Sequence, residues 1–173
     1  MKIVWLTGLS GSGKSTLAIA VKKLLEKNSK KVHIIDGDVV REKYPEKLGF
    51  TQKDITKNNK HILELCLNED NKDYDFILVP VIAPIRQVRD EMKKLLKDKY
   101  IEVYIKASLN EVTKRDTKGL YKKAADGHID NMIGIDIDYE EPLNPDLVID
   151  TEKLELNTAI NKLYSCLTNK ICS

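Results

Sequence analysis

Gly8-Leu9-Ser10-Gly11-Ser12-Gly13-Lys14-Ser15-Thr16, GLSGSGKST, follows the apolar run IVWLT and precedes Leu17, Val21, Leu24 and Leu25 at helical spacing. A strand, a glycine-rich turn and a helix in that order make a cradle for phosphate, and Gly8-x4-Gly13-Lys14-Ser15 fits the Walker A pattern. The glycines let backbone N–H groups curl around phosphate oxygens, and the helix N-terminus adds its partial positive charge. Lys14 is placed to reach the β- and γ-phosphates and Ser15 to ligate Mg²⁺. The loop alone does not separate a kinase from a GTPase, an ATPase or a nucleotide-gated binding module.

Outward from this loop, apolar runs recur at residues 2–7, 32–36, 76–82, 101–105 and 147–150, separated by helix-length segments. Ile62, Leu65 and Leu67 keep helical spacing in the second crossover, and Met92, Leu95 and Leu96 in the third. Strand then helix, repeated, predicts an α/β fold of the P-loop NTPase type: a mainly parallel sheet with helices on both faces. Ser108-Leu109-Asn110-Glu111 reads as a capping box opening a further helix, and residues 156–167 as an amphipathic last one. Residues 116–146 mix glycines, prolines and charges without a period and read as a long mobile excursion. No repeat, low-complexity tract or linker divides the chain, so a single domain is expected over residues 1–173.

A chain of 173 residues buries about two thirds of its unfolded surface and needs neither disulfide nor structural metal. Cys66, Cys166 and Cys172 lack the close spacing of a metal knuckle, and no charged-then-apolar leader precedes the first strand. A reducing cytoplasm is the expected compartment. No apolar stretch approaches the roughly 20 residues of a membrane span. A net charge of +2 is too small to argue for a nucleic-acid polymer as partner. His33, His61 and His128 are scattered and read as structural or solvated, and Trp5 as core. Lysine outnumbers arginine 25 to 4, so Arg41, Arg86, Arg89 and Arg115 each call for a reason. A planar fork suits an anion held in one orientation, with surface ion pairing as the plainer reading.

The second strand ends in IDGDVVR, which places Asp36, Asp38 and Arg41 at the carboxyl edge of the sheet, where open α/β sheets bind ligands. Asp36 could hold Mg²⁺ through water. Asp38 could accept a hydroxyl proton and aim the oxygen at a γ-phosphorus. A helix cap and a turn acid are the plainer readings. There is no guanine-reading N-K-x-D sequence, which disfavours a GTPase. RDTKGLYKKAADGHI, residues 115–129, reads as a basic, glycine-hinged lid led by Arg115 and Lys118, which would exclude water from the transferring group.

Together WLTGLSGSGKSTLA, IDGDVVR, LGF, VIAPIRQVRD, RDTKGLYKKA and IGIDIDYEEP resemble the adenylyl-sulfate kinases in order and spacing across nearly the whole chain. The resemblance implies a P-loop kinase, commonly homodimeric, that moves the γ-phosphate of ATP to the 3′-hydroxyl of a 5′-modified nucleotide. By that resemblance Gly8 to Thr16, with Arg115, would hold ATP, and Lys14, Asp38 and Lys118 would be catalytic. Arg41, Phe50, Asn58, Ile82, Ala83, Lys118, Met132 and Ile133 would line the acceptor beside Asp38. Arg86 and Arg89 would neutralise its 5′ anion or form structural pairs.

Departures from the family pattern fall in the acceptor pocket. Where the family reads D-R-x-x-N this chain has Asp54-Ile55-Thr56-Lys57-Asn58, so an anion-binding arginine has become Ile55. The serine of I-S-P is Ala83, and the aromatic opening F-T-G-I-D is Met132, followed by Ile133. Losing one aromatic wall changes base stacking by about 1–3 kcal/mol. These changes lead us to expect an altered acceptor, cytidine diphosphoramidate of capsule phosphoramidate synthesis, in preference to adenylyl sulfate. A non-catalytic nucleotide-binding module and a plain ATPase are the competing classes.

Overall fold

The computed structural model describes residues 1–43, 48–49, 51–68 and 73–169. Five strands, β1 (Lys2–Thr7), β2 (Val32–Ile34), β3 (Phe76–Pro80), β4 (Tyr100–Lys106) and β5 (Leu147–Asp150), pair in the order β2-β3-β1-β4-β5. Every pairing is parallel. The helices are α1 (Lys14–Lys27), α2 (Gly37–Glu42), α3 (Gln52–Asn68), α4 (Arg86–Leu96), α5 (Leu109–Arg115), α6 (Leu120–Ala125) and α7 (Leu156–Thr168).

Side chains alternate across a strand, so β1 feeds both faces of the sheet. Val4 and Leu6 join Leu17, Val21 and Leu25 of α1 and Leu163 of α7 in one cluster. Ile3 and Trp5 join Ile62 of α3 and Met92 of α4 in the other. Buried from Ile3 to Thr7, β1 thus carries its ligand loop to the carboxyl edge on a rigid support. A third cluster at that edge holds Leu9, Ile55, Ala107, Val112, Tyr121, Met132 and Ile133.

The strands match their expected runs closely, and Ile62, Met92 and Leu96 are buried as expected, but one residue of each of these two helix stripes is not. Leu67 and Leu95 are exposed, 46% and 68%, while Leu63, Cys66 and Val88 fill the buried stripes. Spacing alone cannot choose between adjacent apolar residues on the same turn. The capping box is half formed: Glu111 N–H donates to Ser108 Oγ at 3.2 Å, but the Glu111 carboxylate turns to Arg115 instead. Residues 116–146 contain local structure that the missing period did not reveal. They form α6 and bury Tyr121, Met132 and Ile133 against Leu9 of the glycine-rich loop. Cys66 is buried in α3 and Cys166 in α7.

Candidate active site

The cradle begins where β1 ends. Gly8, at φ 151°, lies so close to β4 that a Cβ would collide with the Ile105 carbonyl, and Gly13, at φ 97°, turns the chain into α1. Lys14 opens α1 and is buried, its Nζ donating to the carbonyls of Gly8 at 3.0 Å and Leu9 at 2.6 Å. Burial pushes its pKa down to about 8, against the opposing pull of Asp38.

Residues far along the chain hold the loop's outer side. The Tyr121 hydroxyl donates to the Ser10 carbonyl at 2.9 Å, and Thr151 Oγ1 to the Ser12 carbonyl at 3.0 Å. Burial pushes the Tyr121 phenol up to about 12, so it stays a proton donor. Arg115 donates in turn to the Thr151 carbonyl at 2.9 Å and to its hydroxyl at 3.1 Å. Sequence reasoning missed Thr151, although its place just past the carboxyl end of β5 was a usable signal.

Asp36 caps α2 and faces the cradle at once. Its Oδ1 accepts from Asp38 N–H at 2.9 Å and its Oδ2 from Ser15 Oγ at 2.9 Å. The cap and the ligand edge, weighed as alternatives in the sequence, are therefore one arrangement. Two hard oxygen donors held together at the mouth of a phosphate loop fit Mg²⁺. Asp38 lies in the first turn of α2, ion-paired with Lys118.

Two cavities meet here. One of about 370 Å³ is lined by Ser10 to Leu17 with Arg115, Thr117, Lys118 and Thr151. A small one of about 30 Å³ is lined by Gly37, Arg41, Ile55, Asn58, Asn59, Ala83, Pro84 and Ile133. Asp38, Val81 and Ile82 belong to both walls. A group in the small cavity and a phosphate in the large one are thus brought together at Asp38.

Several expected acceptor residues stand elsewhere. Arg89 is 1% exposed and fully engaged inside the protein: it pairs with Glu102 at 2.9 Å and donates to the carbonyls of Ala83 and Glu140, each at 2.6 Å. Arg86 donates to the Glu141 carbonyl and, with Arg89, lines a separate cavity beside Pro142 and Asn144. For both, the structural pairing is the reading that fits, because α4 turns them toward the strap at 139–144. Met132 is buried in the third cluster, and the small cavity is lined by Ile133 instead. Phe50 lies outside the described residues.

A five-stranded parallel sheet in this order, with a Walker A loop between its first strand and helix, defines a P-loop NTPase-type α/β protein. Residues 1–150 match the sequence model of the adenylylsulphate kinase family, and the chain belongs to that family. It is 41% identical to a probable adenylyl-sulfate kinase of Halalkalibacterium halodurans, over 95% of this chain and 82% of that one. It is 40% identical to the adenylyl-sulfate kinase of Gloeothece citriformis, over 92% of this chain and 90% of that one. The APS kinase of Mycobacterium tuberculosis, solved in complex with AMPPNP and APS, superposes with a TM-score of 0.89 at 32% identity, over 96% of each chain. These relatives carry the resemblance read from the motifs. They give no support to the preference for cytidine diphosphoramidate, since those named are adenylyl-sulfate kinases.

Proposed function

We propose that the protein is an ATP-dependent kinase that transfers the γ-phosphate of ATP to the 3′-hydroxyl of adenylyl sulfate. The observation that carries this reading is the junction of the two cavities at Asp38. ATP lies in the cradle of Gly8 to Thr16, with Arg115 beside it. Lys14 moves from the loop carbonyls to the β- and γ-phosphates. Ser15 and Asp36 would hold Mg²⁺, which would supply charge neutralisation on the phosphate oxygens.

The acceptor's hydroxyl enters between Asp38 and Lys118. Asp38 accepts the proton as the oxygen forms its bond to the γ-phosphorus, the bond from γ-phosphorus to the bridging oxygen breaks, and ADP leaves. Lys118, once parted from Asp38, screens the equatorial oxygens of the transferring group. Positioning and fixed charge supply the catalysis, as this reaction class requires. Intact Lys14, Ser15, Asp38 and Lys118 argue against a non-catalytic module. Arg41, Asn58, Ile82, Ala83 and Ile133 line the acceptor side, and the working form is a homodimer in the cytoplasm, where ATP is maintained.

A second reading, cytidine diphosphoramidate as acceptor, draws on Ile55, which is 2% exposed and presents no charge to the small cavity. With ATP and Mg²⁺, kcat/KM for the two acceptors is to be compared and the new phosphate located by phosphorus NMR. Preference for adenylyl sulfate with phosphate at the 3′-oxygen is expected. Preference for the cytidine compound transfers the assignment to the second reading, and ATP turnover indifferent to either defeats both. Size-exclusion with light scattering tests the dimer.

A further inference from the structure

Ile55, Asn58 and Asn59 stand within little more than one turn of α3 and are 2%, 2% and 1% exposed. All three line the small cavity. Ile55 and Asn59 are four residues apart and so share a helix face. Among the described residues, neither Asn58 Oδ1 nor Asn59 Nδ2 has a hydrogen-bond partner. A buried polar atom left unmet destabilises a fold, and native proteins pair nearly all of them. Here a carbonyl acceptor and an amide donor are both unmet at the wall of one cavity, one turn beyond the apolar residue that stands in the place of an arginine. Local rules broken in this way concentrate at functional sites.

We infer that Asn59 is a specificity-determining residue which, beside Asn58, holds a neutral hydrogen-bonding group of the acceptor nucleotide, one that offers an acceptor atom to Nδ2 and a donor to Oδ1. Recognition on this face of α3 works by amide hydrogen bonds, where a guanidinium would have worked by charge. The inference rests on the reading that the small cavity receives the acceptor.

Asn59→Leu keeps the branch at Cγ and removes the amide, so its test has two arms. In scanning calorimetry of the unliganded chain, removing an unmet buried donor raises Tm by about 2–4 °C. In calorimetric titration with AMPPNP and Mg²⁺ present, Kd for AMP and for adenylyl sulfate weakens about 5- to 10-fold, while Kd for AMPPNP holds. An asparagine kept for structure alone gives the opposite pattern, a lower Tm with nucleotide Kd unmoved. A Tm that fails to rise, or a Kd within twofold of wild type, overturns the inference. Should Asn59→Leu not fold, Asn59→Ala carries the affinity arm. If the wild type binds neither adenine nucleotide, the proposed acceptor falls, and the Tm arm still decides for or against Asn59.

Discussion

Lys118 and Asp38, 80 positions apart in the chain, form an ion pair at the junction of the two cavities. Both side chains are about half exposed, so the pair itself adds little stability. Its importance lies in position, since on the proposed reading an entering hydroxyl shares Asp38 with Lys118. Asp38→Asn keeps the shape and removes the proton acceptor. Turnover should fall by about 10²-fold or more while Kd for ATP stays within about threefold. Single-turnover kinetics beside ATP titration checks this, and undiminished turnover removes Asp38 from its role.

Lys14 gives a pH dependence with a definite sign. Its folded pKa of about 8 lies below the ordinary 10.5 because burial disfavours the ammonium. Between those values the unfolded chain binds more protons, so this group's contribution to stability rises with pH from about 8 upward. Nucleotide binding runs the other way, because phosphate demands the charged form. Affinity for AMPPNP should weaken roughly tenfold from pH 7 to pH 9. Titrations across that range would establish it, with Lys14→Gln giving weak binding and a flat profile.

The buried pair Arg89–Glu102 fixes the Ala83 carbonyl at the wall of the small cavity. Burial raises the pKa of Glu102 and Arg89 opposes it, so the carboxylate depends on its partner. Arg89→Met strands that carboxylate, and the loss in urea denaturation should be about 3–5 kcal/mol. The double variant Arg89→Met, Glu102→Leu should recover most of it. Equal loss in both would mean that shape, not charge, matters there.

Tyr121→Phe removes only the hydroxyl that reaches Ser10. A loss of about 0.5–1.5 kcal/mol in stability is expected, with KM for ATP raised a few-fold and kcat nearly kept. An unchanged KM would separate the lid's attachment from the shape of the loop.

The strands and the phosphate loop were legible because each is a local signal: a short apolar run, or glycines at fixed offsets before a lysine. Asp36 and Asp38 were legible for a related reason, since a strand's carboxyl end is a position along the chain. The exposure of Leu67 and Leu95 was not, because each adjoins a buried residue, Cys66 and Leu96, and only packing chooses between neighbours. Arg89 could not be told from an anion ligand, since its partner Glu102 lies on a neighbouring strand. Thr151 and Tyr121 reach the loop through contacts set by tertiary placement, which no spacing encodes.

The tethers from Tyr121 and Thr151 to the loop carbonyls carry a consequence for biosynthesis. The glycine-rich motif leaves the ribosome before either brace on its backbone, since both are translated more than a hundred codons later. A nascent chain stopped short of β5 should therefore own every letter of the motif and still grip a triphosphate poorly, gaining that ability only as its last parallel strand docks.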